Sequence, residues 1–183
     1  MSDEILVEIG AMSRPVFSWS ETALAKINQG AIYLNIDRVP NFLGHIGKSG
    51  LGEEVVGSLD CLPIASKSTH EVWLANVFTH GINRHEDTDS QFGELFRILK
   101  PNGRIFIVET ITPGIWLLKE NFSRFGLEVE AELKGCGMVD FIVQQGINQK
   151  FSRELLTDFL SCGEVSFQPF VLVLKKHEPG NKS

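Results

Sequence analysis

Short apolar runs of strand length alternate with amphipathic stretches along most of this chain. Five runs are predicted to be strands: Ile5–Ile9, Ala31–Asp37, Glu54–Leu59, a run that begins at Glu71, and Arg104–Val108. The stretch from Glu71 to Glu109 is central, because it holds a strand, an amphipathic helix and another strand, which make one right-handed β-α-β unit. The pattern predicts an α/β fold in three layers, with a Rossmann-like, doubly wound and mostly parallel sheet between helices.

Helix boundaries are predicted from capping patterns. Ser18 followed by Glu21 is a capping box that starts the first helix near Trp19, which leaves a loop of several residues after Gly10. Thr88 with Gln91 is a second capping box, for the helix inside the central unit. No full helix fits between Cys61 and His70, so we expect one face of the sheet to be thinly covered there.

The carboxyl-terminal third is harder to assign. Residues 112–126 and 152–163 each have a helical apolar face that ends at a glycine. Leu127–Gln145 alternates weakly and Val165–Lys176 is strongly strand-like, and either could form the closing antiparallel hairpin. The tail from His177 to Ser183 is polar and is predicted to be disordered. We therefore predict a single domain over residues 1–176, with an antiparallel strand near its carboxyl terminus.

Composition narrows the classes of function. The chain has 183 residues, 43% of them hydrophobic, and a net charge of -6, and its basic residues are scattered. A nucleic-acid partner is therefore not expected, because binding to phosphates needs clustered Lys and Arg. No apolar run approaches the roughly 18 residues of a membrane span. The three cysteines are far apart, which indicates neither a disulfide framework nor a thiolate metal site and favours a cytoplasmic location.

Polar residues follow several of the predicted strands. Glu8 and Gly10 end the first, Asp37 ends the second, and Asn76 follows the fourth. In a doubly wound sheet, ligands bind in the crevice outside the carboxyl ends of the strands. The polar residues at these ends should therefore line one pocket, together with Glu109 after the fifth strand.

The chain resembles the class I S-adenosylmethionine-dependent methyltransferases over about residues 5 to 110. The resemblance rests on the order strand-acid-glycine, strand-acid and Leu-Pro turn, and most specifically on ELFRILKPNGRIFIVE, which is similar to a helix-turn-strand motif of that family. It implies S-adenosylmethionine as cofactor and a small molecule as methyl acceptor. It also allows a homodimer. A metal is not implied, because the histidines have no ligand spacing.

The resemblance assigns cofactor-binding roles to residues at four strand ends. Glu8 would lie near the ammonium group, Asp37 would accept hydrogen bonds from the ribose hydroxyls, and Arg38 would cover the adenine. The remaining implied positions are the first loop with Gly10, Ala11 and Met12, the adenine edge with Ser58, Leu59 and Asp60, and the pocket wall with Asn76 and Val77. Ala11 and Met12 stand where the family has glycines, so the glycine-rich motif is degenerate.

Candidate catalytic residues come from the end of the fourth strand. His80 is the candidate general base, because a neutral imidazole titrates near the working pH, and Asn76 would orient the acceptor or the cofactor. Plainer interpretations compete with these roles: Glu8 could be a structural acid and His80 an ordinary loop histidine. The degenerate loop leaves an alternative function, in which a protein of methyltransferase fold lacks catalysis and serves as a binding or subunit-interaction module.

Overall fold

The computed structural model describes residues 4–10, 21–39, 52–75, 77, 85–109, 122–134 and 170–177. Its strands are β1 (Ile5–Ile9), β2 (Ile32–Asp37), β3 (Glu53–Val56), β4 (Thr69–Ala75), β5 (Leu99–Glu109), β6 (Leu127–Lys134) and β7 (Phe170–Lys176). The described helices are α1 (Glu21–Asn28), α2 (His85–Ile98) and the 3-10 turn Ser123–Phe125. No helix in this described part has the length and apolarity needed to cross a membrane.

The strands form one sheet in the order β3-β2-β1-β4-β5-β7-β6. Neighbouring strands from β3 to β5 are parallel, and β7 runs antiparallel to both β5 and β6. The predicted α/β class with a mostly parallel, Rossmann-like sheet is therefore confirmed. The question left open about the closing hairpin is also resolved, because part of each candidate segment forms a strand and the two strands pair with each other.

The central strands carry buried apolar side chains on both faces of the sheet, as strands of a parallel sheet do when helices cover both faces. On one face, Phe92 and Leu95 of α2 are buried against the sheet in a cluster with Val7 and Leu74. On the other, Trp73 stacks on Phe106 with ring centroids 4.4 Å apart. The side chain of Ile27 in α1 packs against that second cluster. Helices on opposite faces complete the predicted three layers.

Two predictions for the chain around the third strand differ from the structure. β3 ends at Val56 rather than Leu59, because the chain then turns at residues 58–61. No helix follows, as predicted, but the expected thin coverage does not result. Leu59, Leu62 and Ile64 are buried in the core on the α2 side, so an extended segment covers the sheet there.

The ends of α2 also differ from the prediction. The helix begins at His85, so Thr88 lies inside it and the capping box predicted there is wrong. A Thr-x-x-Gln pattern also occurs within helices, so it does not by itself mark a first turn. At the other end, Asn102 has a φ of 61°, which confirms the predicted turn, although the turn forms an irregularity within β5.

Charged side chains cluster at the amino ends of β1 and β4, away from the predicted crevice. Lys26 pairs with Glu71 at 2.6 Å and with Glu4 at 3.0 Å. His70 Nε2 lies 3.3 Å from Lys100 Nζ. Burial lowers the pKa of His70 below its usual value near 6.5, and the charge of Lys100 lowers it further.

This shift makes stability depend on pH. Because the pKa of His70 is lower in the folded chain, the unfolded chain binds more protons below about pH 6.5, and acid then favours unfolding. We expect the free energy of unfolding to fall as the pH drops from 7.5 to 5.5, and His70→Gln to reduce that fall. Urea unfolding of both proteins at the two pH values measures it. An equal fall in wild type and variant would contradict the assignment.

Candidate functional site

In a sheet of this topology, the ligand crevice is expected where the connections to two neighbouring strands pass on opposite faces of the sheet. β1 is the middle strand between β2 and β4, and the chain reaches these two neighbours by connections on opposite sides of the sheet. The carboxyl ends of β1, β2 and β4 therefore lie side by side at one edge of the sheet. The residues placed there include Gly10 after β1, Asp37 at the end of β2, and Val77 just beyond β4.

Gly10 turns the chain out of the sheet directly after β1. Its φ is 75°, a left-handed conformation that a glycine adopts without strain. Its N–H donates to the carbonyl of Ile36, with the two atoms 3.0 Å apart. This bond ties the end of β1 to the end of β2, so Gly10 lies beside Asp37.

Asp37 is a buried carboxylate, with 5% of its surface exposed. Its Oδ1 accepts a hydrogen bond from the Val39 N–H at 2.9 Å, as aspartates do in tight turns. Its carbonyl accepts from the Gly57 N–H at 3.0 Å. The first bond orients the carboxylate and the second fixes the main chain of Asp37, while Arg38, the next residue, is exposed.

Glu8 lies deeper in the sheet than the sequence alone indicates. It is fully buried, and the hydroxyl of Tyr33 donates to its Oε2 at 2.5 Å. Asn35 is opposite Glu8 on the neighbouring strand, and its buried Oδ1 has no hydrogen-bond partner among the residues described. Glu8 therefore has a structural partner, whatever part it takes in binding.

The adenine edge predicted after β3 is a tight turn. The N–H of Cys61 donates to the carbonyl of Ser58 at 3.0 Å, and Ser58 Oγ donates to Asp60 Oδ2 at 3.2 Å. Ser58 and Asp60 are exposed, whereas the side chain of Leu59 is buried in the core. The turn lies next to Asp37, because Asp37 pairs with Val56 in the register of β2 and β3.

Glu94 and Arg97 of α2, which no sequence pattern marked as site residues, bind the segment after this turn. Arg97 donates to the carbonyls of Leu62 and Ile64, and Glu94 accepts from the Leu62 N–H. The hydrogen bond from Arg97 lowers the pKa of Glu94. The spacing Glu-x-x-Arg in ELFR was visible in the sequence, but its partners are more than thirty residues away along the chain.

The structure brings together only part of the predicted site. Gly10 and Asp37 are adjacent, and the turn with Ser58 and Asp60 follows on the Asp37 side. Val77 is half-buried and packs against the core. The other predicted positions lie outside the described residues: Ala11, Met12, Asn76 and His80. Among the residues that are described, no three His, Cys, Asp or Glu side chains gather as a metal site requires.

Comparison with known proteins agrees with this geometry. Residues 18–107 match the sequence profile of the family described as "Methyltransferase domain". Over these residues, which are just under half of the chain, the sequence resembles that family. Its matches among curated proteins include the ubiquinone/menaquinone biosynthesis C-methyltransferase UbiE of Legionella pneumophila strain Corby, 27% identical over 121 residues. That alignment covers 64% of this chain and 44% of the relative, so the chain spans under half the relative's length.

Solved structures of this methyltransferase fold extend the similarity to nearly the whole chain. Haemonchus contortus phosphoethanolamine N-methyltransferase 2, solved with S-adenosyl-L-methionine, has a TM-score of 0.62 at 14% identity, over 96% of this chain and 49% of its own. The [4+2]-cyclase SpnF has a TM-score of 0.62 at 15% identity, over 95% of this chain and 74% of its own. Likeness at these identities establishes the fold.

The residues present fit the cofactor of the family, S-adenosylmethionine. A nucleoside needs a paired acceptor for its two ribose hydroxyls, and Asp37 is a buried carboxylate already oriented at a strand end. It also needs a close approach of the backbone, which the left-handed Gly10 allows. Both features are at adjacent strand ends, where the topology places the crevice.

Proposed function

We propose that the protein is an S-adenosylmethionine-dependent methyltransferase that acts on a small molecule. The observation that carries this proposal is the placement of Gly10 beside the buried carboxylate of Asp37 at the carboxyl ends of β1 and β2. The family match and the UbiE relatives support methyl transfer, and the name of UbiE indicates a small acceptor for that protein. A net charge of -6 makes a polyanionic acceptor unfavourable.

The chain's own residues would hold the nucleoside along the strand ends. Asp37 would accept hydrogen bonds from both ribose hydroxyls, and Arg38 would lie over the adenine. Ser58 and Asp60 would contact the adenine edge by their side chains, and Leu59 by its backbone, since its side chain is buried. When bound, S-adenosylmethionine supplies an electrophilic methyl group on its sulfonium.

The chemistry left to the protein is alignment and removal of one proton. Much of the rate of such a reaction comes from holding the acceptor in line with the methyl group. We propose that His80 accepts the proton of the acceptor and that Asn76 orients the acceptor from the same strand end. Glu109, at the end of β5, is the reserve base. Glu8, bonded to Tyr33, would stabilise the floor of the site near the cofactor's ammonium group.

A search for turnover tests this proposal. Purified protein is incubated with S-adenosylmethionine and a panel of small phenols, quinols and amines, and formation of S-adenosylhomocysteine is followed. We expect acceptor-dependent product. Nucleoside binding without turnover on any acceptor would favour the alternative, a non-catalytic binding module, which the degenerate loop at Ala11 and Met12 also allows.

A further inference from the structure

Glu94 and Arg97 form a two-point ion pair on the surface of α2. Arg97 Nε donates to Glu94 Oε1 at 2.8 Å, and Nη2 donates to Oε2 at 2.7 Å. Such paired bonds fix the plane of the guanidinium group. The remaining donors of Arg97 are thereby aimed in one direction, toward the segment that follows the turn at residues 58–61.

The side chains of this pair make four hydrogen bonds to that segment. Arg97 donates to the carbonyl of Ile64 at 2.8 Å, to that of Leu62 at 3.0 Å, and to Ser66 Oγ at 3.2 Å. Glu94 Oε2 accepts from the Leu62 N–H at 3.1 Å. The backbone continues the attachment, since the N–H of Lys67 donates to the carbonyl of Arg97 at 2.8 Å.

The position of the turn depends on this attachment. Residues 62–68 have no strand or helix of their own, so the side chains of α2 replace the missing secondary-structure hydrogen bonds. Cys61 joins the turn directly to Leu62, whose N–H and carbonyl are both held. A looser hold at Leu62 would therefore let Ser58 and Asp60 move relative to Asp37.

We propose that Glu94 and Arg97 are positioning residues that set the selectivity of the nucleoside site for adenine. This role rests on the proposed function. The carboxylate of Asp60 and the hydroxyl of Ser58 can accept a hydrogen bond from the exocyclic amine of adenine. Hypoxanthine has an oxygen there, which cannot donate. To discriminate between the two bases, the acceptors must stay at a fixed position. The Glu94–Arg97 ion pair would hold the turn with Ser58 and Asp60 in that position.

The test compares two arginines with the same geometry. Arg97→Lys keeps the charge but loses the planar fork. Arg104→Lys is the matched control, because Arg104 makes the same two-point pair with Glu130, at 2.6 and 2.9 Å, between β5 and β6. Calorimetry gives the affinity of each protein for S-adenosylhomocysteine and for S-inosylhomocysteine. We expect the ratio of the affinity for S-adenosylhomocysteine to that for S-inosylhomocysteine to be the same in wild type and Arg104→Lys. In Arg97→Lys this ratio should fall about tenfold, the effect of losing one hydrogen bond.

Other outcomes would overturn the role. Equal weakening of both ligands in a folded Arg97→Lys protein would indicate a purely structural pair, and so would an unchanged preference. A wild type without preference for adenine would show that there is no selectivity to set. If wild type binds neither ligand, both the proposed function and this positioning role are contradicted.

A second variant guards against failure of Arg97→Lys to fold. Glu94→Gln keeps an acceptor for Leu62 but removes the charge that fixes Arg97, and we expect the same loss of preference to a smaller degree. Hydrogen exchange of the Cys61 N–H should also quicken in Glu94→Gln and not in Arg104→Lys. Unchanged exchange together with unchanged preference would contradict the proposal.

Discussion

Replacing Asp37 by alanine should weaken the binding of S-adenosylhomocysteine by about 1.5–3 kcal/mol, or roughly ten- to a hundredfold in affinity. The reason is that a buried carboxylate, oriented by the N–H of Val39, would lose its charge-assisted hydrogen bonds to the ribose hydroxyls. Calorimetric titration of wild type and variant with the same ligand measures the difference.

The controls for this experiment separate binding from folding. Asp89→Ala removes an exposed acid of α2 that pairs with Arg124 at 3.4 Å, far along the chain from the strand ends, and should leave affinity unchanged. Asp37→Asn keeps the shape but not the charge, and should lose most of the same binding energy. An Asp37→Ala protein that is folded and binds as tightly as wild type would show that the ribose is held elsewhere.

Replacing His80 by alanine should lower turnover on an identified acceptor by about 10²- to 10⁴-fold, the usual contribution of a general base. Affinity for the nucleoside should stay nearly the same, because the proposed role is to accept a proton from the acceptor. The turnover number and the calorimetric affinity, measured on the same protein, separate these two effects.

A second histidine provides the control for His80. His70 is at the amino end of β4, opposite the crevice, so His70→Gln should retain turnover at neutral pH. Full activity in His80→Ala would contradict the assignment, and Glu109→Gln would then be the variant to assay. Loss of activity in both His80→Ala and His70→Gln would indicate a general loss of fold instead.

Much of the fold was predictable because local patterns of apolar residues determine which segments form buried strands and helices. The central strands have apolar runs that are buried on both faces, and Phe92 and Leu95 mark the buried face of α2. The hairpin was not decidable, because the pairing of β6 with β7 joins segments far apart in the chain. The start of α2 was also misplaced, since a Thr-x-x-Gln pattern occurs inside helices as well as at their ends.

The candidate site was predictable where it depends on strand ends and not where it depends on long-range contacts. Gly10 and Asp37 each follow an apolar strand, so topology alone brings them together. Two other contacts link residues distant in sequence: the hydrogen bond from Tyr33 to Glu8, and the hydrogen bond from Arg97 to the carbonyl of Leu62. No local pattern signals such contacts, although Glu94 and Arg97 stand inside the motif that carries the family resemblance.

The fold by itself leaves the chemistry open. A protein solved as a [4+2]-cyclase shares it with a TM-score of 0.62, as does an enzyme solved with S-adenosyl-L-methionine. Function depends on the side chains at the strand ends. In this chain, Asp37 and Gly10 fit a nucleoside, while Ala11 and Met12 depart from the glycines of the family.

Calorimetric titration of the wild-type protein with S-adenosylhomocysteine is the decisive measurement for the proposed nucleoside site. The proposed site requires saturable binding of one nucleoside per chain, accompanied by a rise in the melting temperature, because a ligand that binds only the folded state stabilises it. No heat and no thermal shift at millimolar ligand would contradict it.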